Sequence, residues 1–266
     1  MMLVPFDQIA HHYDSTFTNS VIGELQREQV WRYLQKILPQ LNGLEILELN
    51  CGTGEDAVQF GERGFTILAT DISQEMLKLT NSKIKQHALQ NRVTSFCLDI
   101  ANIDSVSFDK RFDLVFSNFG GLNCIGPAAV QRLINKMPTL LSPGGRFIAI
   151  IMPPYCLWAS LYFLFKFRFR DGFQRWTDKK VLATFPGINF NVWYYKPSEI
   201  KNWIHPAFKT MATLPIGLTV PPTYLEKFFS RHRAWLSVFN TIDTKLGQLS
   251  LLSGMADHFL IDVKLR

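Results

Sequence analysis

The stretch Glu45-Ile46-Leu47-Glu48-Leu49-Asn50-Cys51-Gly52-Thr53-Gly54-Glu55-Asp56-Ala57 constrains this chain more than any other. An apolar run stops at an acidic residue and passes through two glycines into a helix-like pattern, which predicts strand, tight turn and helix in succession. Glycines at such a turn take positive φ and let a ligand approach the backbone, and the free N–H groups of the following helix point toward it. The turn is a candidate nucleotide-type site. Gly52-Thr53-Gly54 with Ala57 also satisfies the looser pattern G-x-G-x-x-G/A, so a dinucleotide is the first alternative.

Charge separates the two readings. A pyrophosphate wants an uncluttered electropositive loop, whereas this one carries Glu48 before its glycines and Glu55 and Asp56 after them, which suits a cation better. The next apolar run, Phe65 to Thr70, ends in Asp71, 17 residues beyond Gly54, where an acid can accept both hydroxyls of a ribose. A third run, Val93 to Leu98, ends at Asp99, and a fourth, Phe112 to Phe116, leads into Ser117-Asn118-Phe119-Gly120-Gly121. Strand and helix patterns in alternation imply parallel strands joined by right-handed crossovers, with a ligand at their carboxyl ends.

Taken in order, Glu48-x-x-Cys51-Gly52-Thr53-Gly54, Asp71, Asp99 and Phe112-Asp113-Leu114-Val115-Phe116-Ser117-Asn118 resemble the class I S-adenosylmethionine-dependent methyltransferases of small-molecule type. The resemblance covers residues 6 to 152, including the opening Phe6-Asp7-x-Ile9-Ala10-x-x-Tyr13-Asp14, and thins beyond. It implies an α/β fold, a Rossmann-like seven-stranded, mostly parallel sheet with helices on both faces and its last strand antiparallel between two others. S-adenosyl-L-methionine is the implied cofactor. The implied contacts are Tyr13 near the methionyl part and the loop residues Glu48, Asn50, Cys51, Gly52, Thr53 and Gly54. Asp71 at the ribose with Ile72 and Met76, Asp99 at the adenine with Ile100, and Asn118 and Phe119 near the methyl donor complete the set. For Asp71 and Asp99 helix capping is the competing role, for Phe119 plain core packing. Asn50 stands where the family usually has Gly or Ala, and its third glycine is absent here.

With 266 residues and 47% hydrophobic content, the chain is long enough to bury a large core as a single domain. The formal charge of +6 permits an anionic partner, but with 19% charged residues and no long Lys/Arg run, nucleic acid is disfavoured as substrate. Cys51, Cys97, Cys124 and Cys156 form no C-x-x-C pair, so packed free thiols are expected and no metal site is predicted. Met1 to Pro5 lacks a basic n-region and a long apolar core, which points to a cytoplasmic protein.

Along the chain, the pattern predicts a helix from Glu24 to Leu38 ended by Pro39, another from Glu55 to Arg63 closing at Gly64, and a third capped by Ser73 and running to about Leu89. Pro127 opens the next helix, and Ser142-Pro143-Gly144-Gly145 ends it before the strand Arg146 to Met152. Helical cap insertions are then expected after strands 5 and 6, at about 153–192 and 219–255, separated by a helix from Ser198 to Ile204 and a strand from Ala207 to Leu218. Tyr155 to Phe169 is dense in apolar residues, yet the roughly 15 residues before Arg170 fall short of the ~20 a membrane span needs. Tyr224 to Leu249 reads as a single amphipathic helix and His258 to Leu265 as the last strand.

The aromatic density at Trp158, Tyr162, Phe165, Phe228, Phe229 and Trp235 suggests a cap over an apolar acceptor pocket. Lys166, Arg168, Arg170 and Arg175 add a possible peripheral contact with an anionic membrane. The reaction the resemblance implies is in-line methyl transfer to a small, apolar or aromatic acceptor, with the protein chiefly holding the reactants in place. No catalytic residue is singled out. If the acceptor is a hydroxyl, His11, His12, His205 and His232 are the candidate bases. The competing functions are a nicotinamide-dependent oxidoreductase and a catalytically silent adenosyl-binding or membrane-associated scaffold.

Overall fold

The structure, a computed structural model, describes residues 4–38, 45–167, 173–177, 179–185 and 188–266; Pro39, Arg168, Phe169 and Arg170 lie outside them. Seven strands form one sheet in the spatial order β3-β2-β1-β4-β5-β9-β8. The first five, β1 (Glu45–Leu49), β2 (Thr66–Asp71), β3 (Val93–Cys97), β4 (Phe112–Ser117) and β5 (Leu141–Ile151), run parallel. The chain's final strand, β9 (His258–Leu265), lies antiparallel between β5 and β8 (Phe208–Ile216). The order reverses between β1 and β4, and a sheet of this kind opens its ligand crevice at the carboxyl ends of the strands flanking that reversal.

Strand alternation sorts the side chains of β1 to opposite faces. Leu47 and Leu49 join a core with Val130, Leu133 and Met137 of α5 (Pro127–Leu140), whereas Ile46 meets Val30 and Leu34 of α2 (Val21–Ile37) and Phe60 of α3 (Glu55–Glu62). Glu48 falls on the Ile46 face, between helices rather than toward water, and is buried.

Several boundaries differ from the sequence expectation, each for a local reason. Helix α2 starts at Val21, before Glu24, because Ser20 caps it by accepting the Gly23 N–H at 3.0 Å. The Ser73-capped helix α4 (Gln74–Gln86) stops at Gln86, short of Leu89. Helix α5 carries Pro138 inside it and gives way directly to β5, whose pairing jumps from Phe112↔Leu141 to Leu114↔Arg146, so that 142–145 loop out as a bulge rather than preceding the strand.

The first insertion, opening with α6 (Leu157–Phe165), also contains a two-stranded antiparallel hairpin, β6 (Val181–Phe185) with β7 (Ile188–Val192). Its two ends are clamped by the buried Asn123, whose Nδ2 donates to the carbonyls of Met152 (3.1 Å) and Trp193 (2.6 Å) while its Oδ1 accepts the Met152 N–H at 2.9 Å. Next comes α7 (Pro197–Ile204), as the sequence suggests.

The predicted single helix over Tyr224 to Leu249 is broken into a short turn, α8 (Glu226–Phe229) and α9 (Arg233–Leu246). Its anchors explain the break. Glu226 accepts the Val21 and Ile22 N–H groups at 3.1 and 3.0 Å, and Asp243 accepts Gln29 Nε2 at 3.1 Å. On a straight helix Glu226 and Asp243 would stand about 25 Å apart, whereas their partners on α2 are only about 12 Å apart, so the segment must fold back. The two insertions and α2 share one apolar cluster: Trp158 packs its ring on Phe229 and Phe239 at 5.7 and 5.6 Å between centroids. No described helix is long and apolar enough to cross a membrane.

Candidate functional site

The loop after β1 holds three residues at positive φ: Asn50 (56°), Gly52 (54°) and Gly54 (81°). Asn is one of the few side chains that tolerates this region, which accounts for its presence where a glycine is usual. Its side chain fills the space a Cβ on Gly121 would need, since such an atom would lie 2.5 Å from Asn50, and Ser117 Oγ donates to its Oδ1 at 3.2 Å. Gly54 is required by packing, because a Cβ there would stand 2.7 Å from Thr80 of α4. Gly52 is different: an added Cβ would meet only Tyr13, at 3.9 Å, so the space beside it is open.

That open space is a cavity of about 430 Å³ at the carboxyl ends of the parallel strands. Of the residues implied by resemblance, Tyr13, Asn50, Gly52, Asp71, Ile72, Met76, Asp99, Ile100, Asn118 and Phe119 all line it. Glu48, at the end of β1, and Cys51, Thr53 and Gly54, in the loop itself, do not. Thr53 donates to Asp14 of the leading segment, Cys51 Sγ lies 3.8 Å from Thr80 Oγ1, and Glu48 is enclosed near Asp56 with its Oε2 unpartnered. Burial first, and then Asp56, push the Glu48 carboxyl well above its ordinary value.

Asp71 has two tasks. Its Oδ2 accepts the Gly52 N–H and its Oδ1 the Ser73 N–H, both at 2.9 Å, so it shapes the turn while facing the cavity. Burial raises its carboxyl against the pull of those N–H groups. Asp99 likewise caps the following 3-10 turn (Ile100–Ser105) through the Ala101 N–H at 2.9 Å and still lines the cavity. Asn118 is held by Asp56, which accepts its Nδ2 at 2.8 Å and also Trp31 Nε1 at 2.7 Å and Arg27.

The leading segment closes the roof. Asp7 accepts Ser73 Oγ at 2.6 Å, and Asp14 pairs with Lys83 at 2.8 Å, which fastens Phe6 and Tyr13 over the strand ends. Phe6 meets Phe190 of β7 at 5.0 Å between rings. Phe190, Asn191 and Trp193 therefore join the wall, a contribution of the first insertion that no periodicity in the sequence signalled. Burial raises the Tyr13 hydroxyl to about 12.

A second cavity of about 260 Å³ shares Phe6, Tyr13, Phe119, Gly120, Cys124 and Phe190 with the first. Its far side is formed by Gln26 and Arg27 of α2, Arg175 and Tyr194 around the first insertion, Tyr224 of the second, and Asp257 and His258 at the start of β9. This corrects two expectations. His11, His12, His205 and His232 are all exposed and line neither cavity. None of Trp158, Tyr162, Phe165, Phe228, Phe229 and Trp235 lines one either; Phe229 is core, and Phe165 and Trp235 are 81% and 58% exposed. Cys97 is exposed rather than packed. Among the described residues no group of His, Cys, Asp or Glu converges to hold a metal.

Fold and site together define a doubly wound architecture with an open cavity at the carboxyl ends of its parallel strands. Residues 46–145 match the family model of a methyltransferase domain. Over 150 residues the chain is 31% identical to a demethylmenaquinone methyltransferase from Symbiobacterium thermophilum, covering 54% of this chain and 56% of that one. It is also 28% identical to the Triticum aestivum phosphoethanolamine N-methyltransferase over 50% of this chain and 25% of the relative. The chain thus spans about half the length of the first of these relatives, and less of the second. The CcbJ methyltransferase of Streptomyces caelestis superposes with a TM-score of 0.65 at 15% identity, covering 98% of each chain, which shows a common fold. Residues 46–145 therefore carry a methyltransferase domain, in a fold shared with solved S-adenosylmethionine-dependent methyltransferases.

Proposed function

We propose that this chain transfers the methyl group of S-adenosylmethionine to a small, apolar or aromatic acceptor. The observation that carries the reading is the pair of cavities meeting at Tyr13, Phe119, Gly120 and Cys124, one at the glycine loop and one under the insertions. The first fits the cofactor. It is large enough for a nucleoside with an amino-acid tail, it offers the Asp71 carboxylate for ribose hydroxyls, and Ile72, Leu98 and Ile100 give an apolar slot beside Asp99 for a base. Bound there, the cofactor would supply an electrophilic methyl group on a sulfonium. Glu48, Cys51, Thr53 and Gly54 would act by holding the loop's shape.

The demethylmenaquinone methyltransferase relative favours a lipid-soluble acceptor, and the cap surface agrees. Phe165, Phe167, Trp176, Phe228 and Trp235 are exposed, with Lys166, Lys227, Arg231 and Arg233 among them. Such a surface rests on an anionic bilayer with its rings in the interface.

Mass spectrometry of small molecules released from the gently denatured protein tests the cofactor. Adenosylhomocysteine supports the reading, and a nicotinamide dinucleotide overturns it. Absence of turnover across a panel of apolar acceptors in a protein that binds the cofactor favours the silent scaffold instead. Failure to co-sediment with anionic vesicles at low salt removes the membrane contact.

A further inference from the structure

The second cavity carries an acid–base cluster that neither the family nor its motifs account for. Asp257 is buried and receives Arg175 Nη2 at 3.1 Å and Gln26 Nε2 at 3.3 Å. His258 Nδ1 stands 3.4 Å from Asp257 Oδ2, and its ring lies 5.5 Å from that of Phe119, edge to face, at the boundary with the first cavity. Two nitrogens of this cluster are buried without a hydrogen-bond partner, Arg175 Nη1 and His258 Nδ1. A buried guanidinium with an unused donor is costly unless something completes it.

We infer that this cavity takes an acceptor with an aromatic hydroxyl, whose proton His258 removes and whose oxygen Arg175 holds. The inference rests on the methyltransferase reading above and deepens it. Nδ1 stands 3.4 Å from Asp257 Oδ2, and an imidazole that carries its proton there, drawn toward that carboxylate when the acceptor binds, would leave the Nε2 lone pair for the acceptor; Asp257 is the positioning residue. The step balances: the hydroxyl proton passes to Nε2, the acceptor oxygen's electron pair forms the bond to the methyl carbon, and the carbon–sulfur pair stays on sulfur as a neutral thioether. The apolar body would lie against Ile9, Phe17, Val192 and Pro222.

The other titratable groups of the wall are poor proton acceptors near neutrality. Burial raises Tyr13 and the Cys124 thiol to about 12 each, and raises Tyr194 and Tyr224 as well. Burial opposes the Asp257 charge, but His258 and Arg175 outweigh it and hold that carboxyl well below the usual range. Arg27 is spent on Asp56. His258 remains.

The test is a difference-absorbance titration of the intact chain, saturated with adenosylhomocysteine, with 1-naphthol as probe at neutral pH. The wild type should bind naphthol and develop the red-shifted naphtholate band. His258→Gln should bind it without the band, Asp257→Asn should weaken the band, and Arg175→Lys, which keeps a cation toward Asp257 but loses the second guanidinium nitrogen, should bind at least tenfold more weakly. Adenosylhomocysteine affinity should be the same in all three, each checked for folding by circular dichroism. Naphthol that fails to bind, that shows no naphtholate band in the wild type, or that keeps its full band in His258→Gln overturns the proposal. Loss of adenosylhomocysteine binding by the wild type would sink the methyltransferase reading itself, which keeps the two failures apart.

Discussion

The two cavities share a wall but are made of different material. The first is built from strand ends and a backbone turn: Gly52, Asp71, Asp99 and Asn118 are each placed by a β-strand that stops beside it. The second is built from side chains delivered by segments distant in sequence, with Gln26, Arg175, Tyr224 and Asp257 arriving from four separate elements. The difference teaches where each site is vulnerable. A backbone-borne site fails when the turn cannot accept its ligand; a side-chain-borne site fails residue by residue, or all at once when the cap loosens.

The largest effect should come from Gly52→Val. Positive φ costs a branched residue ~1–2 kcal/mol, and the open space beside Gly52 lets the variant fold, with its side chain standing where a ligand would lie. Calorimetry should show adenosylhomocysteine binding abolished in a protein that still melts cooperatively, and normal binding would erase the contrast between the cavities. Phe229→Ala strikes the other side. Truncating this buried ring in the cap cluster should cost about 3 kcal/mol of stability by denaturant titration, with cofactor affinity within twofold of wild type. Asp71→Ala should weaken adenosylhomocysteine at least tenfold, since charge-assisted hydrogen bonds are worth ~1.5–3 kcal/mol each, and an unchanged affinity would remove Asp71 from the ligand's contacts.

Of the buried acids beside the two cavities, Glu48 and Asp257 should respond to pH with opposite sign. Glu48 is raised in the folded state, so the unfolded chain ionises first and wild-type stability falls as pH climbs through and above the ordinary carboxylate range. Glu48→Gln should flatten that slope without abolishing it, because Asp71 and Asp262 are raised too. Asp257 is depressed, so its contribution is present above the ordinary value and is lost as pH drops toward the folded value. Asp257→Asn should therefore destabilise at neutral pH and converge on wild type in acid. Denaturant midpoints check both, above about pH 4 for Glu48 and below about pH 4 for Asp257, and slopes of the same sign would contradict the assigned burial. The smallest effect belongs to Trp235→Ala: stability should change by no more than ~0.5 kcal/mol because the ring is exposed, while vesicle binding weakens measurably.

What the sequence made legible follows the same division. Apolar runs ending in Asp71, Asp99 and Ser117 are local signals of parallel strands with a ligand at their carboxyl ends; the place of the last strand and most of the first cavity's residues were implied by the resemblance those runs carry. Glu48 was legible as an acid but not as a buried one, because its face depends on which side α2 and α3 cover. His258 opens the last strand and carries no motif; only the fold brings it to Phe119, whereas the sequence drew attention to four histidines that are exposed. The break at 230–232 was hidden because hydrophobic periodicity continues across it, and the anchors to α2 that force it are contacts between residues more than 200 positions apart in the case of Glu226. The hairpin roof over Phe6 was hidden for the same reason.

The central claim is that the glycine loop and Asp71 receive an adenosyl group and not a dinucleotide. Parallel calorimetric titrations of the intact chain with adenosylhomocysteine and with NADH test it most directly. The account predicts one saturable site for adenosylhomocysteine and no heat beyond dilution for NADH. Saturable NADH binding, or no binding of adenosylhomocysteine, would contradict it.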